Sequence, residues 1–280
     1  MSFGHVLYYV MYAVGFAVMM LHTCLTHKKY GVSAKRSAIY TLVTYVMGVA
    51  GARLMGEVYS AALRSKTGAG TETVSIFGCI VFTPLLLLAV LYAENGVRAL
   101  LRRRQAKRKK PVPMHKKQQK KQALQAEALS ARYAPVNVGV VMDLLTPGIF
   151  IILACAKFGC FFNGCCFGVA CGFGTYNAWL ETTAFPVQLF ECATTLLVVF
   201  VSWRLKKRPF YKTGMAFPLT SMLFCLGRFG WEYVRYYDPA MRNFALGLTF
   251  WQLFCIAVTV VSAALLAYMR FRKDPKGDTK

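Results

Sequence analysis

The stretch VGVVMDLLTPGIFIILACAKF, residues 138–158, is 21 residues long and carries only two charges, Asp143 and Lys157. A bilayer hydrocarbon core takes about 20 apolar residues in helical form, so this segment reads as a transmembrane helix. Six more stretches read the same way: 3–25, 38–55, 74–92, 187–203, 214–234 and 247–269. The composition agrees, because 56% hydrophobic against 16% charged, with a mean hydropathy of +0.43, does not suit a soluble protein. The sequence therefore predicts an all-α polytopic integral membrane protein in which residues 1–280 form a single domain of seven transmembrane helices. It also shows no internal repeat.

A net charge of +23 suggests nucleic acid until the charges are located. Lys and Arg number four at 28–36, thirteen at 98–132, five at 204–212 and five at 270–280. The alternate connections hold two at 64–66, none at 159–186 and one at 242. The positive-inside rule then sets the N-terminus outside and the C-terminus in the cytoplasm, with 27 of the 34 basic residues cytoplasmic. On that reading 99–133, with its runs RRRQAKRKK and HKKQQKK, is a basic cytoplasmic loop near anionic headgroups, and no nucleic-acid partner is expected. The first span lacks a basic leader and a small-residue cleavage site, so a retained helix is expected there. Cys24 follows Leu21, His22 and Thr23, a poor match to the pattern around a lipidated cysteine.

Ionisable side chains within spans are costly and mark cavities, partners or function. With this orientation Arg53, Lys157, Glu191, Arg228, Glu232 and Arg235 all fall towards the outer side. Asp143 lies towards the cytoplasmic half of its helix, where a structural partner is expected. Spacings of four and three put Arg228, Glu232 and Arg235 on one helical face, which predicts that Glu232 holds both guanidinium groups. Forked guanidinium donors match phosphate oxygens, so Arg228, Arg235, Arg53 and Lys157 form a candidate phospholipid-headgroup site. The other reading is a set of internal ion pairs with Glu191 and Glu232. Four bases against two acids favour an anionic ligand.

Between the fourth and fifth spans lies CFFNGCCFGVACGFG, with Cys160, Cys165, Cys166 and Cys171 at or beyond the outer boundary. Residues 159–186 thus make an outer-face segment rich in Cys and Gly, whose glycines predict sharp turns or close approach. A thiol nucleophile, a disulfide and a metal site are all conceivable, but the segment has no CxxC and no histidine, which argues against a zinc set. No metal and no cofactor are expected. A packed turn with incidental thiols or one disulfide is the plain reading.

Taken together these residues resemble the prolipoprotein diacylglyceryl transferase family. GARL at 51–54, DLLTP at 143–147, AKFGCFFNGCCFG at 156–168, PVQLFE at 186–191 and GRFGWEYVR at 227–235 are similar to its successive motifs, as are Gly247 and Gln252 to its last helix. The cysteine segment is similar to a variant signature that carries GCC. The resemblance covers about residues 48–255. It implies a seven-span enzyme of the bacterial plasma (inner) membrane that moves diacylglyceryl from phosphatidylglycerol to the lipobox cysteine of a lipoprotein precursor, releasing glycerol phosphate. The implied partners are phosphatidylglycerol, the precursor's signal peptide and the bilayer. Implied catalytic residues are Arg228, Lys157 and Glu191, to which the departures below add Cys160. Implied phosphatidylglycerol contacts are Arg53, Arg228, Glu232, Arg235, Asn163, Gly164 and Gln188.

The chain departs from the family pattern at chosen places. Lys157 stands for arginine, and Cys160 and Cys165 stand for asparagine and glutamate. Phe185 replaces the histidine before PVQLFE, and Ser75, Ile76, Phe77, Gly78 and Cys79 lack the third-helix histidine. His5, His22, His27 and His115 all lie outside the motifs. With histidine absent, the candidate bases are Glu191 and a Cys160 thiolate beside Lys157. The same departures admit two alternatives: a same-fold protein doing thiol, redox or other lipid chemistry through the outer cysteines, or a non-catalytic lipid-binding relative.

Overall fold

A computed structural model describes residues 3–67, 75–108, 124, 133–178, 180–237 and 245–272. Most of the basic run, at 109–123 and 125–132, lies outside the described residues, as do Arg242 and 273–280. The described chain is mostly helical: α1 (Phe3–Thr26), α2 (Ala34–Thr67), α3 (Ile76–Arg108), α4 (Val138–Phe162), α5 (Val187–Leu205), α6 (Ala216–Trp231) and α7 (Phe250–Phe271). Six of these are long and apolar enough to cross a membrane, which makes this a multi-pass membrane protein. The exception is α6, at 16 residues. It is shorter than the predicted 214–234 because the chain enters through a turn at Gly214 and leaves through a 3-10 turn at Glu232–Val234.

The helical class expected from sequence holds, with one small exception. After α4, β1 (Ala170–Asn177) and β2 (Thr182–Ala184) form an antiparallel pair with a bulge between 170 and 175. This segment has no long apolar run to make a helix, and its Thr, Tyr and Gly residues instead satisfy their backbone groups across a hairpin. The hairpin is fastened to the end of α6: Val169 N–H donates to Val234 O at 2.9 Å and Tyr236 N–H to Phe167 O at 3.2 Å.

Packing follows the small residues. α1 lies along α4, where a Cβ on Gly148 would meet Met19 Cγ at 2.3 Å, and α2 crosses α3 with Gly78 against the Gly51 carbonyl. Between α1 and α2, Thr23 and Thr41 hydroxyls pair at 2.9 Å, which satisfies this polar contact inside the bundle. Phe77, Leu87, Leu145, Phe150, Phe224 and Trp251 build the buried core, with Phe77 stacked on Trp251 at 4.9 Å. Large apolar side chains such as Leu42, Val46, Leu85, Leu197 and Val260 face outwards, the surface a lipid solvent requires.

Asp143 has the structural role expected of it. Its Oδ1 accepts from Tyr211 Oη at 2.7 Å and Ala216 N–H at 3.1 Å, while Oδ2 accepts from Gly214 N–H at 3.0 Å. One carboxylate on α4 therefore satisfies the free donors at the start of α6.

Candidate functional site

α4, α5 and α6 meet where each carries a charge. Lys157 is one turn from the end of α4, Glu191 one turn into α5, and Arg228 in the last turn of α6. Lys157 Nζ lies 2.7 Å from Glu191 Oε2, and Arg228 Nη1 lies 2.7 Å from Glu191 Oε1 and 2.5 Å from Glu232 Oε2. Arg235 Nη1 reaches Glu191 Oε1 at 3.2 Å. These side chains are almost wholly buried.

Glu191, not Glu232, is the hub. The sequence expectation that Glu232 holds both arginines assumed an unbroken helix. The chain instead leaves α6 at Trp231, turns through a 3-10 segment, and extends at Arg235 with φ −80° and ψ 147°. That change of path swings Arg235 towards α5. Glu232 spends its other oxygen on Tyr237 Oη and on Thr249 Oγ1, the latter at 3.2 Å. Neither Tyr237 nor Thr249 was singled out by sequence, because a hydroxyl beside a turn carries no pattern of its own. Thr249 also caps α7 in a reciprocal box with Gln252, which gives that glutamine a structural task.

Arg53 is set apart from this cluster. It is exposed on α2, and among the described residues it has no ion pair with Glu191 or Glu232. GARL instead places Gly51 and Ala52 at the buried crossing with α3. Three cations and two acids remain in the buried cluster, an excess of one positive charge. Arg228 Nε and Arg235 Nε are buried without an acceptor. A donor left unmatched in a dry site costs about 1–3 kcal/mol, so both are poised for an oxygen-rich anion. Beside them a narrow cleft is lined by Lys157, Glu191, Thr194, Thr195, Phe224, Arg228 and Trp231.

The cysteine segment folds over the same end. Asn163 ends α4 and Gly164, at φ 67°, reverses the chain, so Cys165 N–H donates to Cys160 O at 3.1 Å. Gln188 Nε2 holds the Cys165 carbonyl at 2.7 Å, while Asn177 Nδ2 holds the Gly164 carbonyl at 3.0 Å. Gln188 thus anchors the turn, leaving its Oε1 buried without a partner. The sulfur atoms of Cys160, Cys165 and Cys166 lie within 4.8 Å of one another. The sequence, without CxxC or histidine here, argued against a zinc set and left a disulfide or packed thiols open; the reversal at Asn163–Gly164 draws the three sulfurs together. Hydrogen bonds from Cys160 and Cys165 hold the Cys166 thiol well below its ordinary range, with Arg235 and Lys157 also favouring its thiolate. Cys171 stands apart, on β1, its thiol donating to Phe173 O.

Comparison with known proteins adds the lineage. The family model for prolipoprotein diacylglyceryl transferase matches residues 123–268. A protein of Dehalococcoides mccartyi named phosphatidylglycerol–prolipoprotein diacylglyceryl transferase is 29% identical over 156 residues, which cover 53% of this chain and 58% of that protein. A protein of the same name from Tropheryma whipplei is 32% identical over 124 residues, 39% of this chain and 44% of its own length. The chain spans about half the length of the curated relatives it matches.

Proposed function

This chain belongs to the prolipoprotein diacylglyceryl transferase family, and from that premise we propose that it transfers diacylglyceryl from phosphatidylglycerol to the lipobox cysteine of a prolipoprotein, releasing glycerol 1-phosphate. The observation that carries the reading is the buried cluster of three cations and two acids with two unmatched guanidinium Nε donors. A phosphodiester brings the oxygens those donors lack.

In the reaction the precursor thiolate attacks the glyceryl C3 carbon, and the bond to the phosphate oxygen breaks. Charge grows on the departing glycerol phosphate, and Arg228 with Arg235 and Lys157 stabilises it more than the ground-state diester. Glu191 and Glu232 keep these cations in place before substrate arrives. Both oxygens of Glu191 are committed to cations, so its part is positioning and not proton removal. Arg53, exposed on α2, meets the lipid on its approach, and Asn163, Gly164 and Gln188 hold the cysteine turn at the same end.

The enzyme works in the bacterial inner membrane with seven spans, α6 included, the N-terminus outside and the C-terminus in the cytoplasm. Residues 99–133, of which 99–108 continue α3, make its basic cytoplasmic connection, and 159–186 its outer face. The precursor enters as an apolar signal helix.

The test is transfer by the purified full-length chain in nanodiscs, with radiolabelled phosphatidylglycerol and a lipobox peptide carrying cysteine or serine. Label on the cysteine peptide alone, with glycerol phosphate released, is expected. Lipid binding without label transfer would reject the enzyme and leave a lipid-binding relative.

A further inference from the structure

Three thiols converge at the outer end of α4 without forming a disulfide. Cys160 is buried in the last turn of the helix, and Cys165 and Cys166 are half-buried on the loop. Their sulfur atoms lie within 4.8 Å of one another, and among the described residues no fourth His, Cys, Asp or Glu completes the group. A tetrahedral zinc site with Zn–S near 2.3 Å needs sulfurs roughly 3.8 Å apart, within reach of small side-chain rotations here. The turn is built to keep them there. Gln188 clamps the Cys165 carbonyl at 2.7 Å, and Cys166 keeps φ at 58°, a conformation costing a side-chain-bearing residue about 1–2 kcal/mol.

We propose that Cys160, Cys165 and Cys166 bind one zinc-like thiophilic divalent ion as thiolates and leave its fourth position open to the incoming substrate thiol. This deepens the transfer reading above and rests on it. It supplies what that reading lacks in this chain, a means of activating the thiol where Phe185 stands in place of histidine. Three ligands with one open position are the arrangement of catalytic zinc, and a thiol that coordinates loses its proton. The proton of the precursor cysteine passes to solvent, and its sulfur forms the new bond to the glyceryl C3. The C–O bond breaks with its electron pair on the phosphate oxygen, which Arg228 receives. The ion keeps its oxidation state, and the thioether product, a weaker ligand than a thiolate, departs.

The experiment uses the full-length protein in detergent, reduced with a phosphine, freed of metal by chelation, and titrated with Co(II). One equivalent is expected to give a sulfur-to-cobalt charge-transfer band, lost in Cys160→Ser, Cys165→Ser and Cys166→Ser and kept in Cys171→Ser. A lipobox peptide should shift the ligand-field spectrum of the wild-type complex, and its serine version should not. That measurement needs no variant to fold. Chelated protein should lose transfer by at least about 100-fold and regain it with zinc. Folded, reduced protein that takes up no cobalt overturns the site. Full transfer by metal-free protein overturns its catalytic part while leaving the transferase intact. Cobalt binding with a peptide shift, but no transfer under any metal condition, would sink the transferase reading and keep the ion site.

Discussion

Glu191 shows how much one buried carboxylate can organise. It touches Lys157, Arg228 and Arg235, from three different parts of the chain, at 2.7–3.2 Å. Glu191→Gln removes a charge and leaves three buried cations facing Glu232 alone, so a loss of about 3–5 kcal/mol is expected in detergent unfolding. Glu232→Gln keeps an oxygen for Tyr237 and Thr249 and should cost less. The reverse order would reject Glu191 as the hub. Arg228→Ala should lower transfer by about 10²–10³-fold with expression and lipid content unchanged, as for loss of a donor to developing charge. Undiminished turnover in that variant would remove Arg228 from the reaction. At this scale the sequence was informative about residue type and depth. It misjudged partners, because the charge spacing on α6 was read on a helix that ends at Trp231.

Elements are joined here by two devices with different sequence signatures. The first is the Asp143 carboxylate, which receives Tyr211, Gly214 and Ala216 and so couples α4 to the start of α6. Asp143→Ala strands three donors and should destabilise by about 2–4 kcal/mol, visible as a lower Tm, while Asp143→Asn keeps acceptors and loses less. An unchanged Tm for the alanine variant would mean that water replaces the carboxylate. The second device is close helix approach. A Cβ at Gly78 would sit 2.0 Å from the Gly51 carbonyl oxygen, so Gly78→Leu must part α2 from α3, at about 1–3 kcal/mol or more. Reduced folded yield from that variant, measured by gel filtration, is the expected outcome. Buried Asp in a span is legible as sequence; the glycine contact is not, since either glycine alone also reads as a turn or a tolerated gap.

For the whole molecule, orientation is the statement with the simplest check. A C-terminal fluorescent-protein fusion should be bright and a C-terminal alkaline phosphatase fusion inactive; the opposite pair would invert the topology and move the ion cluster to the cytoplasmic side. By itself the sequence determined the membrane class, the apolar spans, the charge asymmetry and the family resemblance, because length, hydropathy and ordered motifs are properties of consecutive residues. Tertiary structure alone decided the rest. It assigned Glu191 as the hub, left Arg53 outside the cluster, fastened the hairpin to the end of α6, and drew Cys160, Cys165 and Cys166 into one group. Those outcomes depend on where a helix stops and a loop reverses, at Trp231 and at Asn163–Gly164. A one-residue change in either would redirect every side chain that follows, and no local pattern of charge or thiol spacing encodes that direction.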